Sequence, residues 1–348
     1  MVEYFPWSKT VLKRCLSLHK QNKLATLDLE LSAKCSGAYC IYCDSKPSVG
    51  CVMPNELDWE TLRVILEQSV EVGLEWIYTC GLGEPLEDDK FFEMLGFLKK
   101  NNIHLSMFSN GVFIDSANTA TALKEAGVNI ILKMDTFEKT GFDKILGVSG
   151  TAEKIYKALE LLLSVGYGNK SGETDLAFSI VPTKLSITGI PDVIDFAQKN
   201  GIFASLGELE QAGEVITNNL SPVLSLTEDE INTLNTYANN YAGKKYMRPI
   251  CPSIITGIHI DNLGCCIVDR KTGLNCKWFM LQEPDVEIIG DAKAENIYEL
   301  FLKVKAYRKK YFSENADIIA QQSTLSYVFG GCGGNPCDII HTAKEVLS

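Results

Sequence analysis

The sequence predicts an α/β protein, a partial (β/α)6 TIM-like barrel followed by a C-terminal cysteine-rich domain, and three observations carry that prediction. Strand and helix signals alternate through six strands between residues 24 and 215, the chemically distinctive residues fall at strand ends, and beyond residue 215 the alternation stops while cysteines accumulate. Such alternation implies parallel strands with right-handed crossovers, in either an open doubly wound sheet or a barrel. Gly81-Leu-Gly83 lacks the third glycine of a dinucleotide fingerprint and Glu84 follows at once. Motifs gathered at strand C-termini favour the barrel.

Each element has its own signal. Residues 1–23 read as a short helical lead-in, with Val11, Leu12, Cys15 and Leu16 at helical spacing, too short for a peptide-binding domain. Leu24–Leu31 is the first strand. Asp58 opens a helix with Leu62, Ile65, Leu66 and Val70 on one face, before the strand Trp76–Cys80. Helices over 88–100 and 116–126 precede strands over 103–108 and 128–134; a helix over 151–165, carrying Ile155, Ala158, Leu159 and Leu162, precedes the strand 175–181. The helix 191–199 leads to the sixth strand, Ile202–Leu206. Beyond the barrel of residues 24–215, a connecting segment over 216–246 contains a helix from Thr227 to Tyr241. Residues 247–348 hold a hairpin around Gly257–Val268 and a helix from Ala294 to about Tyr311.

Composition excludes several classes. At 348 residues, with 46% hydrophobic and 22% charged residues, the chain is an ordinary globular protein large enough for one big core or two domains. No apolar run reaches the length of a membrane span, and the start, Met-Val-Glu-Tyr-Phe-Pro-Trp, lacks the basic-then-apolar order of a secretory signal, so a cytoplasmic location is expected. A net charge of −11 argues against binding nucleic acid, whose affinity rests on lysine and arginine. Twelve cysteines in such a chain point to metal rather than disulfides. His19, His104, His259 and His341 are scattered, which leaves histidine-based hydrolysis without support.

Cys35, Cys40 and Cys43, spaced C-x4-C-x2-C just after the first strand, can converge on one centre. Three thiolates leave a coordination position open unless a distant cysteine fills it, and soft thiolates select iron–sulfur or zinc over magnesium or calcium. The spacing also fits a plant-type ferredoxin loop. The chain is too elaborate for a ferredoxin.

The strand, the cysteine loop, the aromatic Tyr42 before the third cysteine and Gly83-Glu84-Pro85 after the next strand together resemble the radical S-adenosylmethionine enzymes. The family's usual first spacing is one residue shorter than the interval from Cys35 to Cys40. The resemblance implies that Cys35, Cys40 and Cys43 bind three irons of a 4Fe–4S cluster whose fourth iron is chelated by S-adenosylmethionine. One electron then cleaves the sulfonium to give a 5′-deoxyadenosyl radical that abstracts a substrate hydrogen. It further implies that Tyr42 lies beside the adenine and that Gly83 and Glu84 lie near the methionine amino group. Ser109 and Asn110, in Ser109-Asn110-Gly111, match another family motif. Lys133, Asp135 and Ser179 are candidate cofactor contacts, and Glu208 and Glu210, after the sixth strand, candidate substrate contacts.

The C-terminal cysteines resemble the SPASM or shorter twitch extensions that bind auxiliary clusters, which implies a second 4Fe–4S cluster held by Cys251, Cys276, Cys332 and Cys337. The family's hairpin cysteine would fall where this chain has Asp269. Cys265 and Cys266, adjacent on a strand, point to opposite faces. Either could replace Cys276 as a ligand or serve as a hydrogen-atom donor. A zinc ribbon is the competing reading, weakened by the absence of paired C-x2-C motifs. The expected activity is radical modification of a natural-product peptide, by oxidation, crosslinking or epimerisation. The alternatives are a radical dehydrogenase or epimerase of an aminosugar or other small molecule, and an electron-transfer iron–sulfur protein. The expected electron donor is a flavodoxin or ferredoxin.

Overall fold

The computed structural model describes residues 2–44, 54–79, 82–168, 172–207, 209–241, 251–270, 273–275 and 286–326. Six strands follow the predicted order: β1 (Thr26–Leu29), β2 (Trp76–Thr79), β3 (His104–Ser109), β4 (Asn129–Lys133), β5 (Leu176–Ile180) and β6 (Phe203–Leu206). All pair in parallel with their sequential neighbours. Strands β1 and β2 are buried along their whole length, as in a parallel sheet covered on both faces.

The helices between them are α2 (Trp59–Glu71), α3 (Phe91–Asn101), α4 (Ala117–Glu125), α5 (Lys139–Leu146), α6 (Thr151–Ser164) and α7 (Ile190–Lys199); α1 (Lys9–Lys20) precedes the sheet. Local chemistry fixes their starts: Asp58 accepts a hydrogen bond from Thr61 N at the head of α2, and Ser116 accepts one from Thr119 N at the head of α4. Leu62, Phe91, Leu123, Ile155 and Val193 from these helices join Leu27, Ile77, Leu105, Ile130 and Phe178 in one cluster on the outer face of the sheet. Alternate strand residues, Trp76, Tyr78, Ile131, Ala177 and Phe203, turn to the inner face.

The inner face is closed at the N-terminal ends of the strands by the lead-in. Tyr4, Trp7, Val11, Cys15 and Leu18 pack there with Ile254 and Ile255, while Tyr78 donates a hydrogen bond to Pro6 O at 2.9 Å and the Tyr4 and Ser106 hydroxyls meet at 3.0 Å. Glu3 and Tyr4 also pair in parallel with Glu173 and Thr174. The predicted lead-in is therefore a structural plug.

Past β6 come the short helices α8 (Gly213–Thr217) and α9 (Ser221–Leu224), then α10 (Glu228–Tyr241) and α11 (Ser253–Thr256). The expected hairpin is present as β7 (Ile258–Ile260) and β8 (Cys265–Asp269), followed by β9 (Val286–Asp291) and α12 (Ile297–Ser326), which runs well beyond the predicted end at Tyr311. Among the described residues the main sheet has the order β9-β8-β7-β1-β2-β3-β4-β5-β6, and its end strands β9 and β6 do not pair with each other. Strand β7 runs parallel to β1, with Leu27 opposite Ile258, and β8 and β9 are antiparallel additions. Strands from both sides of the expected 216–246 connection thus share one sheet. Arg308 of α12, fully buried, donates to Gly273 O at 2.8 Å, Gly257 O at 3.1 Å and Asn275 Oδ1 at 2.9 Å, and also to Ile255 O. Asn275 in turn donates to Asp28 of β1. A buried guanidinium so well supplied with acceptors fastens α12 to the closed end. Among the described residues no helix is long and apolar enough to cross a membrane.

Candidate active site

The cysteine loop leaves β1 and lies across the C-terminal ends of the strands, held by backbone hydrogen bonds from several sides. Ala33 N donates to Glu56, Tyr39 N to Leu146 O and Ile41 N to Ile145 O, while Cys43 O accepts from Glu214 N. Glu87 accepts from both the backbone N (2.7 Å) and the hydroxyl (2.6 Å) of Ser36, next to Cys35. Close approach requires glycine at two contact points. A Cβ on Gly83, whose φ is +73°, would stand 2.0 Å from Ser32 O, and one on Gly147, with φ +69°, would stand 2.3 Å from Tyr39 O.

Cys35, Cys40 and Cys43 all line one cavity, together with Tyr42, Gly83, Glu84, Ser109, Asn110, Lys133 and Ser179. Its floor includes Phe108 and Ile131, which also touch the inner apolar cluster. Burial pushes the Cys35 thiol up to about 12, reinforced by Glu84 and the other two thiols. Its proton is directed at Ala38 O, and Asn110 Nδ2 donates to its sulfur at 3.7 Å. A metal centre binding there must displace that proton. Among the described residues no three His, Cys, Asp or Glu side chains gather for a single ion. The three thiols share a space rather than a point, which suits a multi-iron cluster, where each can hold a different iron, better than a mononuclear site.

Glu84 follows β2 and is 2% exposed. It accepts from Ser109 Oγ at 2.9 Å, Asn110 N at 2.7 Å and Leu86 N at 3.3 Å. Burial raises its pKa to about 7 against the opposing pull of these donors, so a cation arriving in the cavity would readily ionise it. Across the cavity Lys133 Nζ sits 4.4 Å from the centre of the Tyr42 ring, hydrogen-bonded to its hydroxyl, and 2.9 Å from Asp135. Burial is the largest influence on Lys133 and works against its charge, but Asp135 and the thiols of Cys40 and Cys43 together outweigh it and hold the ammonium above its ordinary pKa. Asp135 also accepts from the Tyr42 hydroxyl at 2.5 Å and Val181 N at 2.9 Å. Fully buried, it stands behind the cavity lining as a brace for Tyr42 and Lys133 rather than on the cavity wall.

The remaining sequence candidates lie elsewhere. Cys251 is buried in the inner cluster at the closed end, Cys266 in the outer cluster, and Cys265 is half-buried with its backbone N bonded to Asp261. None of the three lines the cavity, and neither does Glu210. Cys276, Cys332, Cys337 and Glu208 lie outside the described residues. Sequence reasoning missed Glu87, Glu56 and Thr79. The run Gly83-Glu84-Pro85-Leu86-Glu87 offered a signal for the first, but Thr79 reads as one more residue of an apolar strand.

A curated relative, the tungsten-containing aldehyde ferredoxin oxidoreductase cofactor-modifying protein of Pyrococcus furiosus, is 26% identical over 200 residues, covering 56% of this chain and 50% of the relative. The match therefore spans about half of that protein's length. Among solved structures, SuiB of Streptococcus suis bound to S-adenosylmethionine superposes with a TM-score of 0.61 at 16% identity, over 84% of this chain and 68% of that one. The protein anSMEcpe with bound AdoMet gives 0.56 at 17%, over 93% and 92%. These two likenesses concern the fold. The family implies S-adenosylmethionine and one 4Fe–4S cluster, and the three cavity thiols with the buried Glu84 beside them form a donor set that fits both. Residues 29–194, which carry the cysteine loop and the strand ends around it, match the Radical SAM superfamily.

Proposed function

We propose that the chain is an enzyme that cleaves S-adenosylmethionine reductively and uses the resulting radical to abstract hydrogen from a peptide substrate. The observation that carries the reading is the convergence of Cys35, Cys40 and Cys43 on the cavity that Glu84 and Lys133 also face. When bound, the cluster supplies the single electron for sulfonium cleavage. The chain's own residues do the rest. Cys35, Cys40 and Cys43 hold the cluster, and Glu84 receives an amino group while Ser109 and Asn110 fix its carboxylate. Tyr42, steadied by Asp135, presents an aromatic face, and Ser179 and Lys133 offer polar contacts at the ends of β5 and β4.

We extend the proposal to residues 247–348 as the holder of one auxiliary 4Fe–4S cluster, with Cys251, Cys276, Cys332 and Cys337 as ligands, and to residues 24–215 as the partial barrel. A peptide substrate is supported by the likeness to SuiB, whose structure bound to the precursor peptide SuiA has a TM-score of 0.55. The second reading, a small molecule or cofactor, is favoured by the cofactor-modifying relative. A flavodoxin or ferredoxin would deliver the electron.

Anaerobic reconstitution, with iron counted and 5′-deoxyadenosine assayed after dithionite and S-adenosylmethionine are added, tests the core of this. About eight irons per chain are expected, at four for each cluster, with 5′-deoxyadenosine formed. Iron without any 5′-deoxyadenosine, with or without candidate substrates, would overturn it in favour of electron transfer.

A further inference from the structure

Thr79 closes β2 and lines the cavity, yet its side-chain hydroxyl is buried without a hydrogen-bond partner, at 2% exposure. Its polar neighbours on the cavity wall are engaged within the protein. Glu84 is held by Ser109 and Asn110, Asn110 Oδ1 accepts from Val112 N, Ser109 Oγ accepts from Gly111 N, and Lys133 is bound by Asp135. A buried hydroxyl is rarely left unpaired, because it loses its water contacts on folding and gains nothing in return. Valine would fill the same volume without that penalty. The hydroxyl therefore points to something that enters the cavity.

We propose that Thr79 is a binding residue, whose hydroxyl makes a hydrogen bond to the ligand of this cavity. On the functional reading above, from which this inference follows, the ligand is S-adenosylmethionine. A hydroxyl both donates and accepts, so it suits a neutral polar group, a ribose hydroxyl or a purine nitrogen. The charged ends of an amino acid already have Glu84 and Lys133 at the same cavity. Thr79 lies among apolar lining residues, Leu29 and Phe108 with it, where competition from water is weak and one hydrogen bond counts for more.

The test compares T79V, which keeps the shape and loses the hydroxyl, with T79S, which keeps the hydroxyl. Binding of S-adenosylmethionine to the reconstituted, oxidised holoenzyme is measured by equilibrium dialysis, alongside iron content and the melting temperature of the ligand-free protein. T79V should bind about tenfold more weakly while melting no lower than wild type, and T79S should stay within about threefold. That opposition, weaker binding without lost stability, is one that a packing role would not produce. Should T79V take up less iron than wild type, T79A removes the same hydroxyl and is judged by the same comparison. Wild-type affinity in the hydroxyl-free variant would overturn the inference alone. A wild-type holoenzyme that binds no S-adenosylmethionine would overturn the functional reading and this inference together.

Discussion

At the N-terminal ends of the strands Trp7 and Phe203 meet edge to face, 6.2 Å between ring centres, and shut the inner face, whereas at the C-terminal ends the same strands run out into Thr79, Ser109, Lys133 and Ser179. On β2 the two environments adjoin directly, at Tyr78 and Thr79. Ile131 and Phe108 belong to both, as the lid of one and the floor of the other. The closed end gains stability from apolar burial. The open end spends it, holding the buried Glu84 carboxyl, the half-buried Lys133 ammonium and an unpaired hydroxyl in readiness for a ligand. The parallel sheet permits this division because all its β1–β6 strands point the same way, and one end can be specialised for packing and the other for chemistry.

Four experiments would break or sharpen that contrast. The largest effect belongs to the open end: replacing Cys35, Cys40 and Cys43 together with alanine should abolish 5′-deoxyadenosine formation and leave about four irons per chain, one cluster's worth. Full cleavage by that variant would remove the loop from the active site. At the closed end Phe203→Ala should cost about 3–5 kcal/mol in urea unfolding while S-adenosylmethionine affinity is unchanged. A large loss of affinity at unchanged stability would mean that the two ends are not separable.

Third in size is a pH effect. The Glu84 carboxyl, at about 7 in the fold against an ordinary 4.5, keeps its proton in the folded state over a range where the unfolded chain has released it. Its neutral form is favoured fully below the ordinary value, and that advantage is lost as pH rises to about 7. Stability of the ligand-free protein should therefore fall by up to about 3 kcal/mol between these values, and Glu84→Gln should remove that limb. Burial likewise raises Asp28, at the closed end, to about 6, so a second falling limb from that residue should survive in the variant. Urea midpoints at pH 5 and pH 8 that shift identically in both proteins would refute the Glu84 assignment. The smallest effect is expected from Tyr78→Phe, which removes one hydrogen bond to Pro6 O and should cost about 1 kcal/mol without touching cofactor binding.

The chain disclosed its strands and its cysteine loop because both are local. Strand β1 shows as leucines alternating with Thr26, Asp28 and Glu30, β2 as the short apolar run Trp76-Ile-Tyr, and the loop announces itself by spacing. Helix α5 was missed, since its buried Phe142, Ile145 and Leu146 occupy too few turns around Gly141 to establish a period. The function of residues 4–18 was equally hidden: helical spacing marks an apolar face but does not say that the face will close the inner side of a sheet built later. Ile258–Ile260 was visible as half of a hairpin, while its parallel pairing with β1 depends on strands far apart in sequence. Asp135 drew notice as a charge at a strand end, but only geometry shows it turned toward Tyr42 and Val181. Thr79 carries no sequence signal, because an orphan hydroxyl exists only once its neighbours are in place.

The pairing of Leu27 with Ile258 also bears on the order of events in the chain's biosynthesis. The strand that delivers the cysteine loop is made well before its partner β7, so one of its edges remains bare until the ribosome has passed β7. During that interval β1 offers unpaired backbone to any passing strand, a hazard that natural sheets ordinarily mask. A chain halted before Ile258 would carry all three loop cysteines and the partners that hold the loop, Glu56, Glu87, Ile145, Leu146 and Glu214, but its first strand would stand open on one edge.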